Sequence, residues 1–116
     1  PIVIVPRERL AIRAGEVMVS RIELVSDIIE SAKKVGTRLQ LRGPANLQGI
    51  LEDSGKFLFT DVNLRFGSGV VHTIHAGADI PGMMLQELAG RSVDKPFNSV
   101  ANGSTMSRFH DALFEH

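Results

Sequence analysis

Asp61, Asn63 and Arg65 recur at every second position of the stretch "FLFTDVNLRFGSG", residues 57–69, and Gly67 and Gly69 follow them. Side chains alternate between the two faces of a strand, so this spacing sets a carboxylate, an amide and a guanidinium on one side. Phe57 and Phe59 share that side, which leaves Leu58, Thr60, Val62 and Leu64 as the predicted core face. In a hairpin with a two- or four-residue loop, Gln48 falls opposite Asp61 and Asn46 opposite Asn63. Directly paired Cβ atoms lie about 4.5–5.5 Å apart, so Asn46, Gln48, Asp61, Asn63 and Arg65 become one polar set. A three-residue loop would instead pair Gln48 with Thr60 on the apolar side. The first register is preferred because it keeps Gln48 among polar partners.

Oxygen donors beside a guanidinium suit a hard divalent cation that holds a phosphate. Magnesium takes oxygen ligands and is usually bound through one or two carboxylates plus substrate phosphates. Asn46, Gln48, Asp61 and Asn63 are the candidate oxygen donors to such a cation. Arg65 would add two-pronged, charge-assisted hydrogen bonds to a phosphate. A plainer reading stands beside this one. Polar strand faces are common, and the same residues could form an Asp61–Arg65 surface ion pair with the amides bonded to backbone.

Other reactive side chains carry less. His72 and His75 are three apart on a predicted helix, but no third ligand has zinc spacing, and two polar residues on a helix is the simpler account. His110 and His116 read as solvent-exposed tail residues. Arg7, Arg9 and Arg13 fall on N-terminal strands. Arg13 with Glu16 could reach a phosphate, but paired surface charge is the default there. Met83 and Met84 read as core or interface. Ser68 lacks the G-x-S-x-G elbow of a nucleophile. With no cysteine in the chain, thiol catalysis, disulfides and thiolate metal sites are excluded.

The polar strand needs elements to hold it. Residues 2–5 and 10–12 are apolar and β-branched, with a break between them at Pro6, Arg7 and Glu8, and "VMV" follows Gly15 and Glu16, so two or three short strands are expected first. Ser20 and Glu23 have capping-box spacing ahead of Val25, Ile28, Ile29, Ala32 and Val35, which predicts a helix over 21–35 stopped by Gly36. Residues 38–51 read as a strand interrupted near Gly43 and Pro44, "EDSGK" as a turn, and 45–65 as a hairpin. "VVHTIHAG" predicts a short helix, and "DIPGMMLQELAG" a second with Pro81 in its first turn and Gly90 as its stop. Residues 94–103 are loop-like and "TMSRFHDALF" reads as a last strand. Strands and helices do not alternate strictly, which favours α+β, an antiparallel β-sheet flanked by helices.

The 116 residues suffice for a single domain, 1–116. Thirteen basic and thirteen acidic residues cancel, which gives no charge footprint for nucleic acid or membrane. No signal peptide or membrane-length apolar run is visible, so the cytoplasm is the expected compartment. The opening "PIVIVPRERL" reads as mid-strand, as in a piece of a longer protein; loss of an initiator methionine before proline is the plainer explanation.

The segment "GPANLQGILEDSGKFLFTDVNLRFGSGVVHTIHAGADIPGMMLQELAG" resembles the C-terminal part of an ATP-grasp domain. The flavour is that of the carbamoyl phosphate synthetase large subunit and related carboxylate–amine ligases. The family pattern is a glutamine-bearing strand, a turn, Glu-x-Asn-x-Arg, a Gly/Ser-rich segment, a helix, an "aG.d.p" turn and a further helix. Gln48, then Asp61 to Arg65, Gly67 to Gly69, "AGADIP" and "LQELAG" supply it in order, over most of residues 6–90. Asp61 replaces the usual glutamate and Leu64 the usual proline.

The resemblance implies an ATP-dependent ligase that works through an acyl-phosphate, with small carboxylate and amine substrates. It implies magnesium, or manganese in its place, held on ATP by Gln48, Asp61 and Asn63. Arg65 would contact phosphate or the acyl-phosphate as the catalytic residue. Such enzymes clamp ATP between two subdomains, and the phosphate-gripping lysines belong upstream. The chain is thus expected to be half a site, inactive alone, with an N-terminal part of the same protein as its partner and a tendency to self-associate. The alternative is an ATP-grasp-like binding or interaction module without chemistry.

Overall fold

In a computed structural model the fold is described for residues 3–93 and 99–115. β1 (Arg7–Arg13) and β2 (Glu16–Ile22) form an antiparallel hairpin. Its turn is Ala14 and Gly15, both with positive φ (49° and 77°), the conformation that matches the twist of paired strands. β5 (Thr105–Ser107) pairs with the other edge of β2, so the sheet order is β1-β2-β5. The central strand is the one that buries side chains: Val17, Ser20 and Ile22 are inside, whereas β1 is exposed beyond Arg7.

β3 (Asn46–Leu51) and β4 (Phe57–Asn63) make a separate two-stranded antiparallel sheet. Between the sheets in sequence lies α1 (Ser26–Arg38), amphipathic but with no fully buried residue. α2 (Val70–His75) and α3 (Ile80–Leu88) follow β4. Asp79 caps α3 by accepting from the Gly82 N–H at 3.0 Å, and Pro81 stands in its first turn. The core is small. Val17, Ile22, Ala76 and Ala78 are its buried apolar members, joined by Ser20, His72 and Thr73, so it lies between β2 and the α2 segment. The radius of gyration is 15.3 Å, against about 13 Å for a compact domain of this length.

The α+β expectation holds, with two antiparallel sheets in place of one. Several boundaries move. β1 runs through Arg7 and Glu8, read above as a break, while residues 3–6 are not strand and Ile2 is outside the described residues. The predicted helix 21–35 begins at Ser26, because β2 continues to Ile22. Ser20 and Glu23 therefore do not form a capping box; the N-cap is Val25, with no side-chain cap. Gly36 does not stop α1, which runs to Arg38. The strand predicted over 38–51 is confined to 46–51, and the last strand to 105–107. Residues 99–103 are irregular as expected, and 94–98 and His116 lie outside the described residues.

The hairpin carries the main correction. Leu51, Ile50 and Gly49 pair with Phe57, Leu58 and Phe59, and then the register shifts, so that Gln48 pairs with Asp61, Leu47 with Val62 and Asn46 with Asn63. Thr60 is the extra residue, a β-bulge. Paired residues share a face, so Asp61 and Asn63 lie with Gln48, Asn46 and Ile50. Phe57 and Phe59 lie on the other face, with Gly49 and Val62. The predicted faces are thus exchanged near the turn. Phe57 and Phe59 are half-buried and meet edge to face with ring centroids 5.0 Å apart. Leu58, Thr60 and Leu64 are exposed, so they are not the core face.

Candidate functional site

The bulge at Thr60 brings Gln48 and Asp61 into direct cross-strand pairing, with Asn46 and Asn63 as the next pair on that face. Within β4, Asn63 Nδ2 donates to Asp61 Oδ2 at 2.7 Å. Arg65 is not on the strand. Its backbone N–H bonds back to the Asn63 carbonyl at 2.9 Å, a tight turn just past the end of β4. Its guanidinium donates to the Phe66 carbonyl at 3.0 Å, and no ion pair joins it to Asp61 among the described residues. Asp61 and Arg65 are exposed, and Gln48, Asn46 and Asn63 half-buried.

An open cleft of about 1870 Å³ has Asn46, Gln48, Arg65, the run 67–69 and Arg7 on its wall. Asp61 and Asn63 are not part of that wall. The volume exceeds the roughly 300–1,000 Å³ of a usual small-molecule pocket, so the cleft is an open space between elements and not an enclosed pocket. Met83 and Met84 also line it.

The glycines of the run have a steric reason. A Cβ on Gly67 would stand 2.8 Å from Asn46 Oδ1, and the place of a Cβ on Gly69 is filled by the Arg7 guanidinium. The loop is thus approached closely from β3 and from β1. It is also pinned from behind. Ser68 Oγ accepts from the Val17 N–H at 3.2 Å, and the Ser68 carbonyl accepts from Arg108 Nη2 at 2.7 Å. Arg108 also forms an ion pair with Glu16, so Glu16 does not pair with Arg13.

His72, 2% exposed, lies between two hydroxyls: Nδ1 is 2.8 Å from Ser20 Oγ and Nε2 is 3.1 Å from Ser104 Oγ. Burial pushes its pKa below the ordinary value, and the nearby charges of Arg7 and His75 add to that. His75 is exposed, so the two histidines do not face a common ligand. Among the described residues no group of three or more His, Asp or Glu is gathered for a metal. A cation at this site would rest on one carboxylate, Asp61, and on amide oxygens. That all-oxygen set fits magnesium when phosphates supply the remaining charge.

Two features escaped sequence reasoning. Arg7 is read there as surface charge, yet it reaches the glycine run and its Nε is buried. Ser20 is read as a helix cap, yet it is a buried partner of His72. Neither leaves a local pattern, because both partners lie far along the chain.

Among the described residues no helix is long and apolar enough to cross a membrane. A family model described as "ATP-grasp in the biosynthetic pathway with Ter operon" matches residues 1–110. No curated protein matches the chain.

Proposed function

The chain belongs to this ATP-grasp family, and from that premise we propose that it carries the C-terminal, phosphate-facing part of a carboxylate–amine ligase resembling the carbamoyl phosphate synthetase large subunit. ATP-grasp membership makes an ATP-dependent, ligase-type activity the coarse assignment. The finer reading rests on one observation, the pairing of Gln48 with Asp61 beside Asn46 and Asn63.

In this reading a substrate carboxylate oxygen attacks the terminal phosphorus of ATP and ADP leaves. The amine nitrogen then attacks the acyl carbon and phosphate departs. Asp61, Asn63 and Gln48 would hold magnesium, or manganese in its place, through their oxygens, and the ion would supply charge neutralisation on the phosphates. Asn63 keeps Asp61 oriented through the bond between their side chains. Arg65, on the cleft wall, holds a phosphoryl oxygen as charge passes to the leaving group. The cleft's size leaves space for a second subdomain to close over the nucleotide and exclude water.

The test is ATP turnover by the full-length protein with Asp61→Ala. The expected result is loss of magnesium-dependent turnover by about a hundredfold or more. Turnover that survives the substitution sinks the site. Unaltered ATP binding by a wild-type protein that never turns it over, with any carboxylate and amine supplied, moves the assignment to a ligand-binding module.

A further inference from the structure

Among the described residues, the Arg7 guanidinium has no anion. It reaches from β1 to the glycine run and fills the space over Gly69. Its Nε is buried and has no hydrogen-bond partner, and no ion pair to Arg7 forms among the described residues. The charges around it are the wrong sign: Arg9 disfavours its protonated form after burial does, and Arg7 in turn disfavours a proton on His72. Buried guanidinium groups are ordinarily paired, because an unpaired charge out of water is costly. Arg7 also shares the cleft wall with Arg65, Gln48 and Asn46.

We propose that Arg7 is a phosphate-binding residue of the cleft, which takes a nucleotide's polyphosphate oxygens from the β1 side while Arg65 takes them from the end of β4. The assignment rests on the ATP reading for the identity of the ligand, but not for the need of an oxyanion. An arginine suits the task because its planar fork offers parallel donors to two oxygens. Gly69 then has a ligand-related reason to lack a side chain: any Cβ would displace the guanidinium from the wall.

The experiment uses the full-length protein, with thermal stability and equilibrium binding read for Arg7→Gln and Arg7→Lys. Tripolyphosphate and ATP are the probes, with AMP and malonate as controls. Both polyphosphates should raise the wild-type melting temperature, and Arg7→Gln should weaken both about tenfold to a hundredfold. AMP should be unaffected. Arg7→Lys, which keeps the charge without the fork, should fall between. Without ligand, Arg7→Gln should melt at or above the wild-type temperature, because it removes a half-buried charge with no counter-ion among the described residues.

A protein that binds tripolyphosphate through Arg7 but does not bind ATP keeps this inference and sinks the nucleotide reading. A protein that binds ATP equally well with glutamine at position 7 keeps the nucleotide reading and sinks this inference. Stabilisation by malonate and not by tripolyphosphate overturns the phosphate assignment. An Arg7→Gln protein that melts early or does not fold, with Arg7→Lys binding both probes as the wild type does, makes Arg7 structural and overturns it too.

Discussion

The β1-β2-β5 sheet with α2 and the β3–β4 hairpin are built on opposite terms. Among the described residues, the first, with the turn just after α2, holds every fully buried side chain, and its histidine is bonded on both ring nitrogens. The second has no fully buried residue; its polar set is exposed or half-buried, and Leu58 and Leu64 face solvent. One region secures the fold, and the other carries the residues proposed to do the chemistry. Arg7 and the glycine run are where they touch. The lesson is that stability and ligand binding should respond to different substitutions in this chain.

Ile22→Ala should break the folding side hardest. Ile22 is fully buried in the central strand, and emptying such a site typically costs about 2–5 kcal/mol. Leu64→Ala, at 68% exposure, should stay within about 0.5 kcal/mol. Urea midpoints of the two variants measure the contrast directly, and equal losses would erase it. Ser20→Ala comes next. It leaves His72 Nδ1 buried without its hydroxyl, at about 1–3 kcal/mol.

His72 adds a pH dependence of known sign. Its folded pKa lies below 6.5, so the unfolded chain binds the proton more readily. Stability should be level above 6.5 and should decline as pH drops from there toward the folded pKa. A His72→Gln variant should lose that slope. Denaturation midpoints followed from pH 8 to about pH 5 read it, and an unchanged slope in the variant would assign the effect elsewhere. The smallest stability effect belongs to the hairpin's polar set. Asp61→Ala and Gln48→Ala should shift unfolding by less than about 0.5 kcal/mol while magnesium-dependent turnover falls. A large loss of stability would mean that the polar set is structural after all.

Much of this was legible in the residues. The polar set, its cross-strand partners and the last two helices follow from period-two and period-3.6 spacing and from Asp79, Pro81 and Gly90. Other parts depend on distant pairing. β1 extends through Arg7 and Glu8 because β2 supplies its ladder partners, which outweighs a charged local sequence. Ser20 has the spacing of a cap, but a buried imidazole more than fifty positions away claims its hydroxyl. The bulge was hidden because no residue type marks Thr60. Only the joint demands of the turn at 52–56 and of the Gln48–Asp61 pair require it.

Thr60 acts as a phase shift in the hairpin. A regular strand would have set Phe57, Phe59, Asp61 and Asn63 in a single row, with aromatic rings crowding the carboxylate's hydration. One extra residue divides that row between two walls, greasy on one and wet on the other. In related hairpins, then, whether the residue at this position enters the ladder should decide which wall the rings occupy. A hairpin lacking position 60 would keep each group on its present wall, whereas one that paired Thr60 across the strands would turn both rings onto the wet wall beside Asp61.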